Sequence, residues 1–306
     1  MPASLAAAIE FAGPTLRYAA VVGGLVPRLR ALGEVAFDAD AWALLGDAAG
    51  AEALAAAVGD ALGGIGADHL TAVLHAPDAV TWTAAFPADL PAAAREARLV
   101  READLLLVAE DSYAHGAPLH IATAPLGTDG ARAWVQAVVL PGDHAGGLAR
   151  IAAALGLSGI DVRVAPHAAA GAVPGLVTPT LAVGLYGGSG DGRSGAAEFA
   201  LAVGGGVRLV GYAPTAEPVD AAFAALRLVA SVGGGAGVGA LALYGDAASG
   251  RAVAEAFEAA FGVPARALDA LGGVGMPRSG TRSTALDAAA PLLAPVVGAA
   301  LAALDA

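Results

Sequence analysis

The chain has 306 residues, of which 57% are apolar and 14% charged, and it carries a formal net charge of -12. A chain of this length can bury one large core or two smaller ones. Its 16 basic residues are all Arg and are scattered singly, so no clustered positive surface is expected, which argues against binding to nucleic acid or to an anionic membrane.

Cys and Lys are missing from the chain, and each absence removes a class of chemistry. Without Cys there is no thiolate nucleophile, thiolate metal site or disulfide. Without Lys there is neither a Schiff-base lysine nor a P-loop lysine. The six His residues show no tight ligand spacing, and no Gly-x-Ser-x-Gly elbow occurs. We therefore predict neither a metal site nor a hydrolase.

No segment of the sequence is predicted to span a membrane. Residues 164–190 carry no formal charge, but prolines interrupt them. The uncharged tail from Ala288 to Leu304 also contains prolines, and it is shorter than the roughly 20 residues that a spanning helix needs. The first residues lack the basic region of an export signal. We expect a cytoplasmic protein with no direct membrane span.

The first half of the chain begins with three strands joined by tight turns at Gly13-Pro14 and Gly23-Gly24. Hydrophobic periodicity predicts helices at about 49–62, 91–102 and 143–156. The predicted strands are 5–12, 15–22, 27–37, 70–75, 79–86, 104–110, 118–124, 132–140 and 159–165.

The second half begins after Pro179 and repeats this opening. The predicted strands are 180–186, 196–203, 206–213, 240–244 and 264–268, and the predicted helices are 217–231, 248–261 and 284–304. The order strand-turn-strand-turn-strand-helix therefore occurs at 5–62 and again at 180–231. This duplication predicts two related α/β lobes.

We place the first lobe at 1–178 and the second at 179–306. The stretch at about 79–158 has its own order of strands and helices, and we interpret it as an α/β subdomain inserted into the first lobe.

Gly-rich turns are candidates for phosphate binding because bare backbone N–H groups can approach an anion closely. Three such turns run from Glu10 to Thr15, from Gly187 to Gly195 and from Gly233 to Gly239. The third follows a helix and opens a strand, which is the reverse of a dinucleotide-binding loop, so we interpret it as a connection. A Mg²⁺-phosphate site needs an acidic residue at each strand end. Glu10 meets this need in the first lobe, whereas Gly184 stands at the equivalent place in the second.

Together these segments resemble the PilM family of actin-like proteins of type IV pilus assembly, and they are similar to the cytoplasmic domain of the GspL family of type II secretion. In the opening IEFAGPTLRYA, Glu10 stands in the acidic place of the family's motif and Arg17 in the basic one. The second phosphate hairpin is matched by PTLAVGLYGGSGDGRSGAAEFALAVGGGVRL, and the adenosine-side turn by ALALYGDAASGRAVAEAFEAAFGVPARAL. The family's closing helix is matched by LLAPVVGAALAAL.

The resemblance implies an actin-like (ribonuclease H-like) two-lobed α/β fold with duplicated βββαβα lobes. The remnant nucleotide cleft that it implies comprises Glu10, Gly13, Thr15, Arg17, Gly184, Gly187, Gly188, Gly245 and Asp246. The chain departs from the family at Gly184, which replaces the Asp of an Asp-x-Gly motif. It departs again at Gly245-Asp-Ala, which replaces Gly-Gly-Gly, and the small subdomain of the second lobe is missing.

We therefore expect a cytoplasmic scaffold, peripheral at the inner membrane, for a type IV pilus or type II secretion-like assembly. The resemblance implies that it docks the cytoplasmic N-terminal peptide of an inner-membrane partner. The resemblance implies ATP with Mg²⁺ as the cofactor, and we expect this chain to bind it weakly or not at all. We assign no catalytic residue. Two alternatives stay open: an active ATPase or sugar-kinase-like phosphotransferase on the same fold, and an α/β domain with no pilus role.

Overall fold

A computed structural model describes residues 4–75, 79–107, 120–173, 178–186, 195–204, 206–231, 237–276 and 283–304. Strands in these ranges form two five-stranded sheets and one three-stranded sheet. The two larger sheets belong to the two lobes, and the predicted strand duplication is confirmed by their identical strand order.

The sheet of the first lobe has the order β3-β2-β1-β4-β8. Its first three strands are antiparallel, while β4 and β8 run parallel to β1. A left-handed Gly13, with φ of 62°, closes the first hairpin. The strands are β1 (Leu5–Ala12), β2 (Thr15–Val22), β3 (Arg28–Ala36), β4 (His69–Leu74) and β8 (Asp161–Val164).

The sheet of the second lobe repeats this arrangement in the order β11-β10-β9-β12-β13. Its first three strands are again antiparallel, and the last two again run parallel to the first. The strands are β9 (Thr180–Tyr186), β10 (Ala196–Val203), β11 (Gly206–Ala213), β12 (Ala240–Gly245) and β13 (Ala265–Ala267).

The third sheet is antiparallel with the order β5-β7-β6, and it lies within the predicted insertion. One helix packs on it through Leu99, Ala103 and Leu107, which recur every four residues. The elements are β5 (Val80–Pro87), α3 (Ala92–Leu107), β6 (His120–Asp129) and β7 (Arg132–Leu140).

Helices cover both faces of the two large sheets. On the outer face of the first sheet lie α1 (Ala41–Leu45), α2 (Ala48–Leu62) and α4 (Gly142–Ala154). On the outer face of the second sheet lie α6 (Pro218–Ser231) and α7 (Arg251–Phe261). Between the two sheets lie α5 (Ala165–Ala170) and α9 (Ala294–Ala302), which build the shared core with both inner sheet faces. The described residues also form α8 (Thr284–Ala289) and a 3₁₀ turn at Asp246–Ser249.

The two inner helices approach each other very closely. A side chain at Gly298 would collide with the carbonyl oxygen of Ala168, and one at Gly171 would collide with the carbonyl oxygen of Gly298. Because only Gly permits this approach, the pair holds the inner faces of the two lobes together.

Three sequence predictions fail locally. Residues 104–107 were expected in a strand, but they extend α3, because the helical spacing from Leu99 to Leu107 places both side chains on the third sheet. Residues 108–110 of that expected strand lie outside the described ranges. The single helix expected at 284–304 is two helices separated at Pro291, which has no N–H to continue the first one. The short helices α1 and α5 were not predicted.

Candidate functional site

The opening hairpin of the first lobe places an acidic and a basic side chain opposite each other. Glu10 on β1 pairs in register with Arg17 on β2, and the Nη1 atom of Arg17 lies 3.3 Å from Oε1 of Glu10. The same Nη1 donates to the carbonyl oxygen of Leu292, also at 3.3 Å. Glu10 is fully buried, so its polar contacts are made with protein groups rather than with bulk water.

A histidine joins the two lobes at this point. His75 follows the end of β4, and its Nε2 lies 3.3 Å from Oε1 of Glu10 in the same lobe. Its Nδ1 lies 3.1 Å from Oε2 of Glu198, which belongs to β10 in the other lobe. Both carboxylates are completely buried. The imidazole therefore bridges two buried acids across the interface between the lobes.

The charge of His75 follows from these neighbours. Burial by itself lowers the pKa of His75, but Glu198 and Glu10 together outweigh this effect and raise it to about 10. The ring is therefore an imidazolium at neutral pH, and both ring nitrogens donate to carboxylates. This makes the contact a buried ion-paired bridge, which is costly to break because Glu198 would lose its imidazolium partner and Glu10 would keep only Arg17.

Two tyrosines enclose the bridge from the second lobe. The ring centroid of Tyr186 lies 3.8 Å from that of His75, and Tyr244 lies behind Tyr186 with centroids 6.3 Å apart. Burial raises the pKa of both hydroxyls, and the nearby carboxylates of Glu10 and Glu198 raise it further. Both hydroxyls therefore stay protonated at neutral pH.

Tyr244 also occupies the space beside Gly184. The two residues are register partners on β12 and β9, and a Cβ atom added to Gly184 would lie 2.5 Å from Cε2 of the tyrosine ring. At Gly184, where the sequence departs from the family motif, the structure therefore has room for no side chain. The position where an acidic side chain of the second lobe would stand is filled by an aromatic ring.

The predicted cleft residues are only partly brought together. Glu10, Arg17 and Gly184 lie at the bridge. Burial lowers the pKa of Arg17, but the nearby groups Glu10, Tyr186, Glu34 and Asp246 together raise it above its ordinary value. Asp246 makes the smallest of these contributions, so it is near enough to Arg17 to affect its charge equilibrium. Gly13 and Thr15 form the opening turn and the start of β2, and Gly245, with φ of 65°, ends β12. Gly187 and Gly188 lie outside the described residues.

Sequence reasoning missed four members of this cluster, which are His75, Glu198, Tyr186 and Tyr244. One signal was present for Glu198, because it is the single charge in the apolar strand AAEFALAV. Its register partner is Gly184, just as the register partner of Arg17 is Glu10. The second strand of each lobe therefore carries a charge at the same place, with opposite sign.

A metal ion does not fit the bridge. The two carboxylates at its centre already share a cation, the imidazolium of His75, whose ring nitrogens occupy the positions from which a metal would be bound. Within the described ranges, no group of three or more His, Asp or Glu side chains is arranged to hold a metal ion. The arrangement is a buried, ion-paired contact between the two lobes.

A cavity of about 730 Å³ lies away from this bridge, next to the β2–β3 turn at Gly23 and Gly24. Elements of both lobes line it, including β6, α5, β11 and the end of α9. Its polar side chains are Arg163 and His167, and burial lowers the pKa of His167 to about 3, with a further lowering from Arg163. The cavity is therefore largely apolar with one permanent cation.

No helix in the described part of the chain is both long enough and apolar enough to cross a membrane.

Comparison with known proteins gives similarity in structure but not in sequence. No family model and no curated protein matches the chain. The chain is similar to the solved structure of the PilM–PilN type IV pilus biogenesis complex, with 16% identity, a TM-score of 0.69 and 98% of each chain covered. It is also similar to a protein of unknown function with the actin-like ATPase fold from Bacteroides thetaiotaomicron, with 9% identity, a TM-score of 0.53, and 98% and 95% of the two chains covered.

A weaker similarity is to the cytoplasmic domain of Epsl, an inner-membrane component of the type II secretion system of Vibrio cholerae. It has 14% identity, a TM-score of 0.41, and 99% and 94% of the two chains covered. The two stronger similarities confirm the predicted actin-like fold. They also confirm the resemblance to PilM in the arrangement of the chain.

Proposed function

We propose that this protein is a cytoplasmic actin-like scaffold of a type IV pilus or type II secretion-like assembly at the inner membrane. The observation that carries the proposal is the similarity in fold to the structure of the PilM–PilN complex, which extends over 98% of both chains. The scaffold docks the cytoplasmic N-terminal peptide of a membrane partner, and its own nucleotide binding is lost or weak.

The electrostatics between the lobes support the loss of nucleotide binding. A phosphate chain needs cations or backbone N–H groups aimed at it. Here the centre of the interface holds two buried carboxylates, Glu10 and Glu198, and the imidazolium between them is already paired with both. A triphosphate entering this space would have to break the bridge and displace the ring of Tyr244. No observation favours the phosphotransferase alternative over this one.

The cavity beside the β2–β3 turn supports the docking half of the proposal. It is lined mainly by small apolar residues, which suit an extended peptide, and Arg163 supplies one cation. Among the residues that the structure describes, the side chain of Arg163 has no hydrogen bond or ion pair. Burial lowers the pKa of its guanidinium, and nearby Asp161 partly opposes this effect. Its guanidinium is thus available to a carbonyl or carboxylate group of the partner.

Peptide binding tests the proposal. The probes are fluorescently labelled peptides with the sequences of the cytoplasmic N-termini of single-span membrane proteins encoded next to this chain. We expect one of them to bind with saturation, and the Arg163→Glu variant to bind about tenfold more weakly because the cation is reversed. The control is Arg132→Glu, which reverses an exposed arginine on β7 and leaves affinity unchanged. If no such peptide binds, the scaffold proposal is wrong.

A further inference from the structure

Helix α6 of the second lobe has two contrasting faces. Its inner face is made of small residues, with Ala221, Ala222 and Ala225 buried against the sheet. Its outer face exposes Val219, Phe223 and Leu226, whose exposed fractions are 71%, 60% and 39%. These three residues follow the spacing i, i+4, i+7 and therefore form one continuous stripe along the helix. We call it the α6 stripe.

The duplicated lobe shows that such a stripe is not required by the fold. Helix α2 occupies the corresponding place on the first sheet, since each is the long helix between the third and fourth strands of its lobe. The exposed positions of α2 hold only small or acidic residues, which are Ala48, Ala49, Glu52, Ala53, Ala56 and Asp60. Large apolar side chains on the outer face are thus a property of α6 itself, and an exposed continuous apolar stripe indicates an interaction surface.

Two charges flank the α6 stripe on one side. Asp220 lies in the first turn of the helix and Arg227 lies seven residues later, and both are exposed. Seven residues are close to two helical turns, so the two side chains project from the same side, about 10 Å apart along the axis. Among the described residues neither has an ion-pair partner. The helix therefore presents an acid near its start and a base near its end, beside the same apolar stripe.

This arrangement is complementary to itself. If a second copy of α6 lies antiparallel across the stripe, with the twofold axis near Phe223, Asp220 of each copy faces Arg227 of the other. A twofold axis makes this happen twice, as an isologous interface requires. The apolar side chains at 219, 223 and 226 then alternate along the seam with those of the second copy.

We propose that the α6 stripe binds a second copy of this chain, as an antiparallel pair of α6 helices about a twofold axis. The reciprocal placement of Asp220 and Arg227 favours a second copy of the chain as the partner, because an unrelated apolar partner would not need these two charges at matching positions. A pair of 14-residue helices buries less than the roughly 1,200 Å² of a stable interface, so the dimer forms reversibly at high protein concentration.

Sedimentation equilibrium of the full chain tests this proposal. The protein concentration should run from about 10 to about 500 µM, because an interface this small is expected to dissociate in that range. We expect the wild type to form dimers reversibly. Phe223→Glu places a charge in the seam and should abolish them. The matched control is Leu105→Glu on α3, which changes an apolar residue that is even more exposed than Phe223, at 76%, and should leave dimerisation intact. Thermal unfolding verifies that each variant is folded.

Charge reversal makes the test specific for the antiparallel pair. Asp220→Arg and Arg227→Asp each create two like-charge contacts, and each should weaken the dimer at least about fivefold at low salt. The double reversal restores both pairs and should return the dissociation constant to within about twofold of the wild type. A wild type that stays monomeric at the highest concentration overturns the proposal. So does a double reversal that is no tighter than the single ones.

Discussion

The Nδ1 atom of His75 in the first lobe lies 3.1 Å from the Oε2 atom of Glu198 in the second. This contact, together with the pairing of His75 to Glu10, joins the two lobes through buried charged groups. The cation is supplied by the protein itself and is fully enclosed.

Removing the cation should destabilise the protein strongly. In His75→Gln the carboxylates of Glu10 and Glu198 lose the charge between them, and breaking one side of a buried ion pair costs about 3–5 kcal/mol. Urea unfolding measures this loss. The control is His120→Gln, which changes an exposed histidine at the start of β6 and should alter stability by less than about 0.5 kcal/mol. A loss below about 1 kcal/mol for His75→Gln would show that the bridge is weak.

The bridge also predicts how stability changes in alkaline solution. The pKa of His75 is raised to about 10 in the folded state, whereas an unfolded histidine titrates near 6.5. The stabilisation by the imidazolium is thus complete below about pH 6.5 and is lost as the pH rises toward 10. Measured unfolding free energies should fall across this window.

The double variant His75→Gln/Glu198→Gln is the control for that window. It replaces the ion pair with two amides, so neither side chain titrates there. Its unfolding free energy should depend less on pH between about 6.5 and 10 than that of the wild type. Equal slopes for the two proteins would contradict an imidazolium at position 75.

His167 should make the protein less stable in acid, whereas His75 makes it less stable in alkali. Burial, with a smaller contribution from Arg163, lowers the pKa of His167 to about 3, and its Nδ1 lies 3.3 Å from Oε1 of Gln136. The unfolded state binds a proton near pH 6.5 that the folded state refuses, so stability is lost as the pH falls from about 6.5 toward 3. NMR titration of the His167 ring should show no protonation at pH 5, and a midpoint above pH 6 would refute this assignment.

The packing of Tyr244 beside Gly184 can be tested by a double-mutant cycle. Gly184→Ala inserts a methyl group 2.5 Å from the ring and should cost about 1–3 kcal/mol by overpacking. In a Tyr244→Ala background the three atoms nearest to the added methyl group are removed, so its cost should largely disappear, with a coupling of at least about 1 kcal/mol. The control is Gly206→Ala on β11, where the nearest atom to an added Cβ is 4.0 Å away. Additive effects at 184 and 244 would show that the ring does not fill this space.

Local rules predicted much of the fold from the sequence. The Gly13 turn fixes the hairpin register that sets Glu10 opposite Arg17, and the same strand pattern recurs in the second lobe. The helix end at Leu107 was missed because three consecutive Leu residues fit a strand and a helix equally well. Packing on the third sheet decides in favour of the helix.

The contact of His75 with Glu198 could not be predicted from local sequence patterns. His75 and Glu198 are 123 residues apart, and nothing near either residue indicates the other. They lie together only in the assembled fold, in which α5 and α9 pack between the two sheets. The ring of Tyr244 is a similar case, because its position beside Gly184 depends on the parallel pairing of β12 with β9. Sequence reasoning identified Gly184 as a departure but not what replaces the missing side chain.

The most direct test of the central claim is an equilibrium titration of the intact chain with a fluorescent ATP analogue, with and without Mg²⁺. If the space between the lobes is held by the His75 bridge and filled by Tyr244, no saturable binding should occur below about 1 mM, an affinity worth only about 4 kcal/mol. Mg²⁺-dependent binding in the micromolar range would contradict the account and would favour the phosphotransferase alternative instead.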